Sequence, residues 1–372
     1  MGRRLLGVAP MLVAVLVVGA AVLALSACGG GGEEQKTATG GSAPTDGQIV
    51  FRRYFNPDQT KGALFTMNPD GSHVSQITHP PDGWRDQNPA WSPDGKWVAF
   101  YRQRIDEYMS RIMVVNPDTG DVREVTHCGP DLGWTKEHPT PAGHYCVSDF
   151  EPAFSPDSHS IAFRRILGPD KECCRIEGIW IVGLDGSDPH QFTNVDPKLP
   201  QAFSDWGSAF SPNGKMLVFD RSRVADERHA VFVQPIDSSG SAEDAQQITP
   251  WELNCQDHPE FSPDGNLVLF RCLPKGEEGP ANLYWVHPDG TGLHPLTHED
   301  ADKQYLGSSF SPSFSAGEGW MTVARTAGYG DEGNADVFRL QIKDGEVARS
   351  VNLTKSAIWD SGPVWSSHPP VG

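Results

Sequence analysis

From residue 49 onward, apolar positions come in short runs of β-branched and aromatic residues, separated by polar turns that contain Pro and Gly. Runs of this length and composition predict strands. One run follows an anchor made of an aromatic residue, Ser-Pro and usually Asp-Gly. The anchors are Trp91-Ser92-Pro93-Asp94-Gly95, Phe154-Ser155-Pro156-Asp157, Phe210-Ser211-Pro212-Asn213-Gly214, Phe261-Ser262-Pro263-Asp264-Gly265, Phe310-Ser311-Pro312 and a degenerate Trp365-Ser366-Ser367. Trp97-Val98-Ala99-Phe100 is the run after the first anchor, and its sixth counterpart, Ile49-Val50-Phe51, opens the series. A third strand recurs at 64–67, 112–115, 179–182, 231–233, 283–286 and 337–340, followed by turns such as Asn68-Pro69-Asp70-Gly71. A fourth ends on Thr78, Thr126, Thr193, Thr249, Thr297 and Thr354. Self-similarity at this spacing marks a radial repeat. Four strands in six copies predict an all-β fold, a six-bladed β-propeller. Because the series opens on a second strand and closes on a lone first strand, one blade should be completed by both ends of the chain, which removes two free sheet edges.

Composition agrees with this reading. With 39 Gly and 31 Pro among 372 residues, the chain is too heavily punctuated for helix bundles or coiled coils. The anchor, strand and Leu/Ile-Thr series resembles the TolB-type, WD40-like propeller repeat over residues 49–367. The resemblance implies the fold. TolB itself carries an N-terminal α/β domain where this chain has a short linker, so the envelope-complex role of TolB is not implied with it. Propeller peptidases add a hydrolase domain, but no Gly-x-Ser-x-Gly elbow occurs here.

The N-terminus divides into two segments. Arg3 and Arg4 precede an apolar run that ends at Leu25-Ser26-Ala27-Cys28, which predicts a secretory signal over 1–27. Leu-Ser-Ala-Cys resembles the bacterial lipobox, which implies lipid attachment at Cys28 and an extracytoplasmic protein anchored to the cell membrane. An uncleaved span is the alternative. Residues 28–46 are Gly-rich and polar, as a flexible tether is, and 47–372 is the propeller.

Six further cysteines in an oxidising compartment allow three disulfides with fifteen connectivities. Cys128 with Cys146 and Cys255 with Cys272 are candidate pairs. The adjacent Cys173 and Cys174 form either a vicinal bridge or two thiols.

The formal charge is −18, and removal of Arg3 and Arg4 with the signal takes it to −20. Nucleic acid and anionic lipid surfaces are therefore disfavoured as partners, and cationic or neutral ones favoured. Membrane contact is expected through the lipid alone, and the propeller is expected to be a monomer.

In an up-and-down blade the tight Pro-Asp-Gly turns share one face and the long loops share the other, where binding residues usually sit. Two columns fall on the long-loop face. Five residues before each anchor stand Asp86, Asp149, Asp205, Gln256, Tyr305 and Asp360, with Glu151, Asp257 and His258 close by. Just beyond each second strand stand Arg53, Arg102, Arg165, Arg221, Cys272 and Arg325. These charges form either a funnel for a small polar ligand or a partner's charged side chain, or a girdle of Asp-Arg pairs that fastens each loop to its blade. Cys255 and Cys272 at one blade favour the girdle, a bridge standing where other blades have an ion pair. His79, His127 and His298 should lie on the perimeter of different blades, so no metal site and no cofactor is expected. Three functions fit: a non-enzymatic binding or scaffold module for a protein, peptide or glycan of the cell envelope; a lyase or hydrolase using carboxylates and Arg at the channel mouth; or a structural subunit of an envelope complex.

Overall fold

The computed structural model describes residues 46–106, 109–127, 145–168, 176–194, 203–223, 225–238, 240–241, 244–273, 281–298, 309–315, 319–326 and 334–366. The predicted signal, Cys28 and nearly all of the tether, together with Cys128, Cys173, Cys174 and Tyr305, lie outside them. So does the Asp257 side chain.

The described residues form six antiparallel sheets of four strands. The first sheet joins β24 (Asp360–Trp365) to β1 (Ile49–Tyr54), β2 (Gly62–Met67) and β3 (Ser75–Gln76). The second runs β4 (Trp84–Trp91), β5 (Val98–Arg104), β6 (Ser110–Val115) and β7 (Val122–Glu124). The third is β8 (Tyr145–Phe154), β9 (Ser160–Gly168), β10 (Ile176–Gly183) and β11 (His190–Gln191). The fourth is β12 (Phe203–Phe210), β13 (Met216–Arg223), β14 (His229–Pro235) and β15 (Gln246–Gln247). The fifth is β16 (Cys255–Phe261), β17 (Val268–Cys272), β18 (Asn282–Val286) and β19 (His294–Pro295). The sixth is β20 (Ser309–Phe314), β21 (Trp320–Thr326), β22 (Ala335–Lys343) and β23 (Glu346–Asn352). The first strands touch in the cyclic order β24, β4, β8, β12, β16, β20 and back to β24. This is a propeller with six blades around a channel.

The repeat residues have separate mechanical tasks. In the anchor turn the Ser92 hydroxyl donates to Asp94 at 2.7 Å and accepts the Trp97 amide at 2.9 Å, while Asp94 accepts the Lys96 amide at 3.1 Å. Ser211 with Asn213 and Ser262 with Asp264 do the same. Gly95, Gly214 and Gly265 then supply the left-handed residue at φ 72°, 70° and 75°, which only a residue without Cβ adopts freely. At the other edge, the Thr that ends each fourth strand accepts an amide from the third strand of its own blade at 2.8–3.0 Å, in all six blades. A two-residue outer strand is held in this way without a full ladder.

Blades are joined by apolar packing on both of their faces. Val50 and Leu64 pack with Val98 and Phe100 of the second blade, whereas Ile49 and Phe51 pack with Trp320 and Val337 of the sixth. Alternate residues of one strand thus serve two neighbours, and the strands read as continuous apolar runs instead of alternating ones.

The sixth anchor differs from its sequence assignment. Phe310 pairs with Ala324, whereas Phe314 pairs with Met321 and the Ser315 amide bonds the Trp320 carbonyl, as the anchor turns of other blades do. Phe314-Ser315 is therefore the anchor, and Pro312 belongs to the channel wall.

Closure by both ends holds: Ile49 pairs with Trp365, Val50 with Val364, Arg52 with Ser361 and Arg53 with Asp360. The Ser366 amide also bonds the Gln48 carbonyl at 2.9 Å. Deleting residues 361–372 removes most of the innermost strand of that blade. The expected outcome is loss of the single cooperative melting transition in scanning calorimetry, and an unchanged transition would refute closure as the source of stability.

Candidate functional site

At the long-loop end of the channel, four of the predicted acid-arginine neighbours are bidentate pairs. Arg102 Nε and Nη2 donate to Asp86 at 2.7 and 2.9 Å, and Arg165 holds Asp149 at 2.7 and 2.8 Å. Arg221 holds Asp205 at 2.6 and 2.9 Å, and Arg53 holds Asp360 at 2.9 and 2.7 Å. All four carboxylates are fully buried, while the arginines range from 2% to 27% exposed. Each guanidinium also lies over a phenylalanine of its own blade, Arg221 at 5.3 Å from the Phe219 centroid. Both oxygens of each acid are occupied by a planar fork, a geometry that fixes direction as well as charge.

The fifth and sixth blades depart from the pattern. Cys255 is directly opposite Cys272, bridged to it, and Gln256 is opposite Arg271. Three bulged residues, 257–259, stand here where the second blade has two, 88 and 89, so the register slips by one and Cys255, not Gln256, occupies the acid position. In the sixth blade the ladder partner of Arg325 is Ser309, not Tyr305. Arg325 lies 3.4 Å from the Ser350 hydroxyl. Cys146 is also disulfide-bonded. His79, His127 and His298 are exposed just beyond the outer strands of different blades, and no group of three or more His, Cys, Asp or Glu able to hold a metal is found among the described residues.

One step inward, every first strand is interrupted by a register shift. The residue at the break is left-handed in five blades: Asn88, Glu151, Gly207, His258 and Gly362 at φ 46°, 57°, 28°, 51° and 60°. Such bulges bend a strand and re-aim its side chains. Asn88 Nδ2 meets His258 Nε2 at 2.7 Å, a contact between opposite blades that crosses the channel. Glu151 accepts the Gly207 amide at 2.9 Å and lies 3.7 Å from Arg164. Arg164 in turn donates to Glu177 at 2.6 Å and stacks 3.6 Å from the Trp206 centroid. Arg52 donates to Gln87 at 2.8 Å, and the Tyr54 hydroxyl to the same oxygen at 2.7 Å. His229 Nδ1 lies 2.9 Å from Asp220, whose carboxyl is pushed up by burial against the opposing effect of His229.

Arg52, Arg164, Glu177, Asp220 and His229 were not singled out from the sequence. A signal existed: the position before each column residue lies within a strand and is buried or half-buried, yet it reads Arg52, Tyr101, Arg164, Asp220, Arg271 and Ala324.

Beyond this polar mouth the channel is a cavity of about 230 Å³ walled by Pro89, Pro152, Pro259, Pro312, Pro363 and small residues. Glu260 stands on that wall. Burial pushes its carboxyl up to about 8, offset only in part by the Phe314 amide and the Ser313 hydroxyl.

The comparisons with known proteins concern the whole ring. No family model matches the chain. An uncharacterised protein of Agrobacterium fabrum is 23% identical over 281 residues, covering 75% of this chain and 80% of its own length. Among solved structures, TolB from Acinetobacter baumannii superposes with a TM-score of 0.59 at 17% identity, over 86% of this chain and 66% of that one. A protein of Agrobacterium tumefaciens assigned provisionally to TolB gives 0.50 at 18% identity, over 87% and 99%. Hydrazine synthase from Kuenenia stuttgartiensis gives 0.60 at 13%, over 88% and 48%. The chain is a six-bladed β-propeller closed by its own termini. Within that class its fold is TolB-type.

This geometry sets the direction of three changes in stability. Asp205→Asn leaves Arg221 buried without its counter-charge and should cost about 3 to 5 kcal/mol. At the fifth blade, Cys255→Asp and Cys272→Arg should each destabilise alone, by about 3 kcal/mol for the lost loop constraint, while the double variant melts above both; a double variant no better than the singles would show that pair and bridge are not interchangeable. Glu260 carries the opposite sign. Its carboxyl binds a proton more tightly folded than unfolded, so its penalty is absent below about pH 4 and grows as pH rises towards 8. Glu260→Gln should therefore stabilise the protein at pH 7, by up to about 3 kcal/mol, and leave it unchanged at pH 4. Melting curves at the two pH values check this.

Proposed function

We propose that this protein is a lipid-anchored, extracytoplasmic binding or scaffold propeller that presents its long-loop face and channel mouth to a protein, peptide or glycan of the cell envelope. The anchor is Cys28, on the strength of the Leu25-Ser26-Ala27-Cys28 motif. The observation that carries the binding role is the set of four closed Asp-Arg pairs. Both oxygens of each acid are taken up by a guanidinium fork, so the ring is a rigid clamp beneath the long loops and leaves no oxygen of these acids free to move a proton, while the loops it holds make the contacts. The fold likeness to TolB supports an envelope setting.

A second reading, a lyase or hydrolase working at the mouth, draws on the Asp220-His229 pair beside Glu151 and Arg164. A buried carboxyl orienting a histidine is an arrangement that acid-base chemistry uses.

Photo-crosslinkers at Asp58, Asp106 and Glu227 sample the long-loop face, and others at Lys96, Lys215 and Asn266 the tight-turn face. Specific adducts from envelope preparations confined to the first set are the expected result. Equal labelling of both faces, or turnover of glycan or peptide libraries abolished by His229→Gln, would replace the binding reading.

A further inference from the structure

The residue just before each structural anchor forms one column of the repeat, Ala90, Ala153, Ala209, Glu260, Ser313 and Val364, and all of these but Ser313 line the channel cavity. Five blades meet the packing demand of this column with a small or apolar side chain. The fifth has a carboxylic acid. Glu260 is opposite Leu269 in the ladder, where Ala90 is opposite Ala99 and Ala153 opposite Ala162, so the equivalent ladder position is met without an acid in those blades.

The environment of Glu260 selects what could complement it. Its hydrogen bonds come from the Phe314 amide and the Ser313 hydroxyl, and no cationic group of the described residues contributes to its titration. Glu151 and His258 line the same cavity. On the strands packed against β16, Asp205 and Arg221 bind each other, Asp220 faces His229, Arg223 pairs with Asp226, and Arg271 lies opposite Gln256. An anion is disfavoured beside a carboxyl. A hard divalent cation wants six or more oxygens, whereas the carboxylates of the lining are Glu260 and Glu151, the latter already held by the Gly207 amide beside Arg164, and prolines, alanines and aromatic rings make up much of the rest. A primary ammonium on an alkyl stem fits both halves of the site: one carboxylate takes the charge, and the apolar wall takes the methylenes. The cavity, about 230 Å³, is below the size of ordinary drug-like pockets and has room for such a stem.

We infer that the channel binds a primary alkylammonium group, with Glu260 as its counter-ion. This rests on the binding reading and names the chemistry that reading would recognise. The amine arrives protonated, Glu260 gives its proton to the buffer, and an ion pair forms in the cavity. At neutral pH the carboxyl is largely protonated, so each binding event releases close to one proton. Above pH 9 Glu260 is already ionised, and release should vanish while the amine, of the lysine type with a value near about 10.4, still carries its charge.

The test is titration calorimetry of the full chain with n-butylamine, in two buffers of different ionisation enthalpy, at pH 7 and pH 9.5. Saturable binding with near one proton released at pH 7 and almost none at pH 9.5 is expected. Glu260→Gln should abolish binding, and Ala153→Leu, which narrows the cavity and leaves the acid in place, should weaken it at least tenfold. A short lysine-containing peptide as a second titrant separates sources: tighter binding of the peptide identifies a protein side chain, and equal or weaker binding identifies a free amine. Binding without proton release, binding that survives Glu260→Gln, or no binding of either titrant overturns the assignment. In that event, adducts still confined to the long-loop face would show that only the ammonium chemistry had failed.

Discussion

Each blade must bury both of its faces, and nearly everything else in the molecule follows from that. A four-stranded sheet alone leaves apolar surface on either side; six of them in a ring cover one another with no residual edge of the set. The clusters at the blade junctions pass from the first blade round to the sixth and back. The seam where the chain begins and ends has the same packing as the others. Val50 and Phe51, adjacent in sequence, lie in different junctions, so damage to one strand is felt by two neighbours.

The fold was legible because its demands repeat. Ser and Asp in the anchor turn, the closing Thr and the β-branched runs recur at a fixed spacing, each with a local hydrogen-bonding or packing reason. The errors arose where a local pattern imitated the repeat. Phe310-Ser311-Pro312 has the letters of an anchor, but its Pro is the channel proline that other blades carry as Pro89 or Pro363, and the true turn at Ser315 lacks Pro and Asp. Gln256 was misplaced because a bulge of three residues cannot be told from one of two by counting back from Phe261. Of the candidate site, the paired columns could be read, since the acid and the arginine face each other across a single strand pair. The contacts of Asn88 with His258 and of Arg164 with Trp206 could not, because they join strands of different blades and depend on the curvature of the ring.

The Asp-Arg pairs and the Cys255-Cys272 bridge occupy equivalent positions, which bears on what the pairs do. A covalent bridge offers no charge and no hydrogen-bond donor. If the position existed to present charge to a ligand, a disulfide there would be a loss; if it exists to clamp the end of the second strand to the start of the first, bridge and bidentate pair are two solutions to one problem. The depth of the carboxylates argues the same way, since a fully enclosed anion needs a fixed partner to exist at all.

A ring with approximate sixfold symmetry also separates architecture from recognition. Whatever the ring requires of one blade it requires of the others, so residues that satisfy the architecture recur in column after column. A ligand on the axis is not sixfold, and it can be distinguished only by side chains that break the columns. Glu260 in a ring of Ala, Ser and Val, Asp220 in a column that is elsewhere Arg, Tyr or Ala, and the unlike pair Asn88 and His258 across the channel are such breaks. They cluster within the channel and its mouth, where strands from all blades converge and where the bulges re-aim side chains towards the axis. The strongly acidic surface adds a long-range bias towards cations in the same direction. Under the binding role proposed above, specificity would reside in these departures from the repeat, and the repeat provides the rigidity that holds them in place.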